Sequence, residues 1–284
     1  MKPALAFVLA VALGAAGLAA WAAGRFAWGE PEAPKAQCEA LDAATLPPAV
    51  KNTFMRAYHA RIATAVVREP QNTWSNLAFV LVGALIFARD RSAFARLLGA
   101  ALVALGLASG LYHASLSPAW RTVDVAAMGW VSFALVCVGA AAVSPRIARL
   151  NPVAQLALGA TGGALAMIAA VFRNDVRLAG VKPFDSTYTT IGGVAVIFVL
   201  LALGVLFSAR RRLPVRPLLL RLGLLALVVA AAAFCQLNDR PGLCLCAPDG
   251  AVQGHAAWHV LMAAAAALAY ALFVRLGNHL PAPR

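Results

Sequence analysis

Charge is what this chain has least of. Only 12% of its 284 residues are charged while 62% are hydrophobic, and the mean hydropathy is +0.78. That leaves too little polar surface to cover a soluble globule of this length, so the composition places the chain in a bilayer. Acidic residues are scarcer still, 11 against 24 lysines and arginines, for a formal charge of +13. In a soluble protein that balance would point to nucleic acid. Here the basic residues fall in short patches between apolar runs, which is the pattern of membrane-topology signals. The chain also lacks a soluble domain, a low-complexity tail, an inverted repeat and an apolar run broken at its middle; the last two absences argue against a transporter.

Eight apolar runs are long enough to cross a hydrocarbon core of roughly 30 Å as helices, which takes about 20 residues. They lie near 4–24, 72–88, 97–113, 123–143, 152–172, 187–207, 217–236 and 254–274. The first, with Lys2 before it and Ala20-Trp21-Ala22 near its end, fits either a signal peptide or an extra anchor helix over 1–24. An exported segment then covers 25–71, a seven-helix bundle 72–275 and a cytoplasmic tail 276–284. The expected fold is therefore an all-α membrane protein, a seven-transmembrane helix bundle preceded by a signal peptide or an N-terminal helix.

Arginines orient it. The loops after the second, fourth and sixth runs carry Arg89, Arg91 and Arg96, then Arg146 and Arg149, then Arg210, Arg211, Arg212 and Arg216. Those loops are expected in the cytoplasm, and the opposite loops and 25–71 in the periplasm of a bacterial inner membrane. Cys38, Cys244 and Cys246 fall on the oxidising side, so a disulfide between the two segments is permitted. Cys137, inside a run, reads as a small apolar residue, and Cys235, at a run's end, stays open.

Ionisable residues are nearly absent from the run interiors, and the exceptions gather at ends that the arginines assign to one face. They are Ser109 and His113, Asp124, and His255 with His259. Four-residue spacing puts His255 and His259 on one helix face as a two-nitrogen clamp for zinc. Ser109 and His113 share a face in the same way, and a third histidine leaves one zinc position open for water. Asp124, which could also pair with Arg121, is suited to take that water's proton and hand it to a leaving amine. Ser109 could support an oxyanion or bond back to its own helix. His59 and His279 have no such company and read as solvated.

These residues resemble those of the alkaline ceramidases, a branch of the CREST superfamily of seven-helix membrane hydrolases that also holds the adiponectin-receptor-like proteins. The matching stretches are 69–76, Glu-Pro-Gln-Asn-Thr-Trp-Ser-Asn; Ser109-Gly-Leu-Tyr-His113 followed by Asp124; and Cys246 leading to Gln253-Gly-His-Ala-Ala-Trp-His259. The superfamily shares the Ser, His, Asp and His-x-x-x-His set, and the 69–76 stretch singles out the ceramidase branch. The arginine- and alanine-rich composition suggests a bacterial member.

The resemblance implies that His113, His255 and His259 bind zinc, that Asp124 acts on the metal-bound water and that Ser109 supports the oxyanion. A membrane lipid, ceramide or a related N-acylated lipid, would then be split into a free amine lipid and a fatty acid. Eukaryotic members also hold calcium through an acidic cluster close to the Glu69 counterpart. Here Gln37-Cys38-Glu39 lies much farther upstream, which leaves Glu39 and Glu69 as the possible calcium residues. Glu69 is also placed to cap the second helix, where a carboxylate is favourable. Cys246 occupies the family's position before Gln-Gly-His, although Cys244 also remains open as the partner of Cys38. Two alternatives share this pattern: a lipid-remodelling esterase of the superfamily, and a non-enzymatic lipid receptor with a structural zinc. Asp124 argues against the receptor, since a structural site needs no base beside an open position.

Overall fold

A computed structural model describes residues 65–172, 215–239, 245 and 253–277. The described elements are all helices: α1 (Pro70–Ser75), α2 (Leu77–Arg89), α3 (Ala93–Ser115), α4 (Pro118–Val143), α5 (Pro145–Ala148), α6 (Pro152–Phe172), α7 (Val215–Asn238) and α8 (Gly254–Gly277). Most run a few residues past the apolar stretches that predict them, and local capping fixes some of their starts. The Ser92 hydroxyl accepts from Ala95 N–H at the start of α3. Asn151 Oδ1 accepts from Ala154 N–H at the start of α6. Pro118 opens α4, where its missing N–H costs no helical bond.

Among the described residues, five helical stretches are long and apolar enough to cross a membrane: Pro70–Arg89, Ala93–Ser115, Ala119–Val143, Arg216–Asn238 and Gly254–Val274. A shorter apolar stretch, Pro152–Ile168, adds to them. Leu220 and Leu227 on α7, and Val153, Leu165 and Ile168 on α6, face outward. Such surfaces suit lipid tails, and the architecture is that of an integral membrane protein. The runs at 4–24 and 187–207 lie outside the described residues, as do Cys38, Cys244 and Cys246. Cys137 and Cys235 are free thiols, and Cys137 sits in the apolar core as its sequence context predicts.

α3 is the axis of this bundle, flanked by α1, α2, α4 and α6, with Leu98 and Leu102 fully buried along it. Its approach to α2 is backbone to backbone. A Cβ on Gly99 would stand 2.7 Å from the Gly83 carbonyl oxygen, and one on Gly106 would stand 2.8 Å from the Asn76 carbonyl oxygen. Only glycine permits such proximity, a device common between membrane helices. The crossing lays 69–76 against the last turns of α3.

A two-residue turn joins α3 to α4. Leu116 closes it in the left-handed region at φ 48°, and its N–H bonds to the Tyr112 carbonyl. The C-terminal end of α3 and the N-terminal end of α4 therefore share one end of the bundle. α8 packs on α1, α2, α4 and α7, and its distal part is tied to the α2–α3 loop by a 2.6 Å bond from the Tyr270 hydroxyl to Asp90 Oδ2.

Candidate metal centre

The chemistry-bearing residues sit at the end where α3 meets α4. Ser109 and His113 lie one turn apart on α3, Asp124 lies in the second turn of α4, and His255 and His259 occupy the first turns of α8. All five are buried.

The start of α8 is fixed by what precedes it. Gly254 N–H donates to Asp239 Oδ1 at 3.1 Å and to the Leu245 carbonyl at 3.1 Å. A Cβ at 254 would fall 2.5 Å from the Cys235 carbonyl oxygen and 2.8 Å from the Asp239 Cβ. Gly254→Ala must therefore push the helix start away from α7 and carry His255 with it. The expected cost is roughly 1–3 kcal/mol of overpacking, with a lower zinc content. Thermal melting and metal analysis check this; a variant that melts and binds metal like the parent protein would mean that α8 is not held here.

The histidines converge. One nitrogen from each of His113, His255 and His259 lies within 4.8 Å of the others. His113 Nε2 and His255 Nε2 are 3.2 Å apart. Two nitrogens bound to one tetrahedral zinc stand about 3.3 Å apart, given Zn–N bonds near 2.0–2.1 Å. Trp258 stacks on His255 with ring centroids 5.3 Å apart, buttressing that ring from its own helix.

Each ring is held from behind by its other nitrogen. His113 Nδ1 meets Glu69 Oε2 at 2.5 Å, His255 Nδ1 meets Gln236 Oε1 at 2.7 Å, and His259 Nδ1 meets Ser75 Oγ at 2.8 Å. The Ser75 hydroxyl gives its own proton to the Asn72 carbonyl at 3.0 Å, so toward His259 it can only accept. His259 therefore carries its proton on Nδ1. The Gln236 amide oxygen, an acceptor, sets the same tautomer in His255.

With both protons turned outward, the Nε2 lone pairs of these rings face inward. The His255 Nε2 lone pair stands 3.2 Å from His113 Nε2, and a second lone pair there would repel it unless a cation lay between them. The donor set thus fits a borderline-soft divalent metal such as zinc, bound by neutral imidazoles.

Glu69 does not make the side-chain capping bond that the sequence offers it. It sits at the N-cap of α1 with no side-chain capping bond; its carbonyl serves that end, accepting from Thr73 N–H at 2.8 Å and the Thr73 hydroxyl at 2.7 Å. Its carboxylate instead reaches His113 and also accepts from Asn72 Nδ2 at 3.2 Å. Burial pushes this carboxyl up to about 7, against the pull of the Asn72 bond. Glu39 lies outside the described residues.

Residues 61–281 match the family model described as Ceramidase. The chain belongs to the ceramidase family. No curated protein matches it. In this ceramidase-family chain the 69–76 stretch takes on a physical meaning. Glu69 holds one histidine and Ser75 another, Asn72 braces Glu69, Thr73 closes the Glu69 carbonyl, and Asn76 Nδ2 closes the Asn72 carbonyl at 2.7 Å.

Sequence reasoning missed Ser75 and Gln236. Ser75 was visible as a polar residue inside a matching stretch. Gln236 offered only its place at the end of an apolar run, at the same level as the histidines.

Proposed function

We propose that this chain is a zinc-dependent amidohydrolase that cleaves the N-acyl bond of ceramide or a related N-acylated lipid. The products are a fatty acid and a free amine lipid. The observation that supports this reading best is the convergence of three buried imidazoles within a membrane bundle of the ceramidase family.

His113, His255 and His259 would hold the zinc, which would polarise the amide carbonyl and lower the pKa of a bound water to about 7. Asp124 takes the proton from the attacking water as the new C–O bond forms, and returns it to the amine nitrogen as the C–N bond breaks. Ser109 donates its hydroxyl to the carbonyl oxygen as that atom gains charge. Burial of both groups keeps competing water away, which strengthens each interaction. The acyl chain lies between helices, in the same medium as its donor membrane.

In this reading the seven-helix bundle carries its zinc near the periplasmic face, since the described arginine-bearing connections, from α2 to α3 and from α4 to α6, fall at the other end. Lipid extracts from cells with the active protein and with an inactive variant provide the test. A free amine lipid that accumulates only with the active protein is the expected result. Identical amine-lipid profiles in a membrane rich in N-acyl lipids would oppose the reading.

A further inference from the structure

We propose that Glu69 is a positioning residue of the metal centre, which fixes His113 with Nε2 turned toward the metal. The proposal rests on the metal-binding part of the function proposed above and is independent of the substrate.

Two links join Glu69 to the ligand. Its side chain takes His113 Nδ1 at 2.5 Å, and its N–H donates to the His113 carbonyl at 3.1 Å. The second bond belongs to a larger cap. Arg68 N–H donates to the Ala114 carbonyl at 3.1 Å, and the Arg68 guanidinium reaches the Ser115 carbonyl. The last carbonyls of α3, which have no intrahelical partners, are thus closed by the residues just before α1. Main-chain groups make most of this cap, so a substitution at position 69 leaves most of it intact and removes the side-chain contacts to the His113 ring and to Asn72.

The other two ligands show what that contact does. His255 and His259 are each oriented by a neutral acceptor, Gln236 and Ser75. Glu69 completes the pattern for the third ring. Without it His113 could turn, or carry its proton on Nε2, and either change withdraws a lone pair from the centre.

Zinc retention against a competing chelator, measured without substrate, tests this in the full-length protein. Glu69→Leu is expected to weaken zinc binding about 10–100-fold, the usual effect of losing a ligand's orienting partner. Glu69→Gln restores an acceptor oxygen of the kind Gln236 provides, and is expected to recover most of that loss. Glu69→Ala is read in the same way if the leucine variant does not fold. Leucine and alanine variants that hold zinc as tightly as the parent would overturn the proposal. So would a glutamine variant that loses zinc as fully as leucine does, and accompanying loss of bound calcium would mark Glu69 as a ligand of a second cation. Failure of the chain to hydrolyse any N-acyl lipid would leave these outcomes unchanged, because none is read through turnover.

Discussion

His259→Ala is expected to abolish zinc binding and hydrolysis together. His259 is 1% exposed and its ring contacts both partner histidines, with centroids 5.1 Å from His113 and 4.5 Å from His255. Removing it leaves two nitrogens, which form no catalytic zinc site of the three-ligand kind. The helix itself should persist, because alanine is the strongest helix former and Tyr270 still ties its distal part to Asp90. A buried imidazole replaced by a methyl also leaves a cavity, so some stability is lost whether or not metal is present. Metal analysis separates the two effects. Zinc content falls to background if His259 is a ligand, whereas a variant that melts earlier yet keeps a full zinc complement would remove His259 from the ligand set.

Asp124→Asn is expected to keep the metal and lose turnover by roughly 10²–10⁴-fold, the usual contribution of a positioned acid or base. The substitution preserves shape and removes the ability to take a proton, while the three histidines stay on α3 and α8. Its separation from the ligand set is what makes the prediction sharp: Asp124 lies on α4, and the bonds that orient the rings come from Glu69, Ser75 and Gln236. Steady-state fatty-acid release and zinc content of the same preparation check it. Undiminished turnover would place the base elsewhere while leaving the metal centre standing.

Much of this centre could be read from the sequence, for physical reasons specific to it. A bilayer penalises ionisable side chains so heavily that the few near its interior stand out, and His113, Asp124, His255 and His259 were visible on that ground alone. Helical spacing then put His255 and His259 on one face, and their nitrogens do meet. The described helices followed from hydropathy, with ends displaced by a few residues, as at the starts of α3 after Ser92 and of α4 at Pro118.

Contacts between distant segments could not be read. Gln236 and His255 are 19 residues apart, and Ser75 and His259 are 184 apart; nothing local announces either pair. Glu69 shows the same limit from the other side. A carboxylate before a helix reads as a cap, because the capping position is local and its true partner, 44 residues away, is not.

Zinc per protein, determined alongside fatty-acid release from a broad panel of N-acyl lipids, tests the account most directly. The account predicts one zinc per chain and release of fatty acid with its amine lipid from at least one member of the panel, both lost together when the metal is stripped. A fully zinc-loaded protein that releases nothing from any such lipid would contradict it.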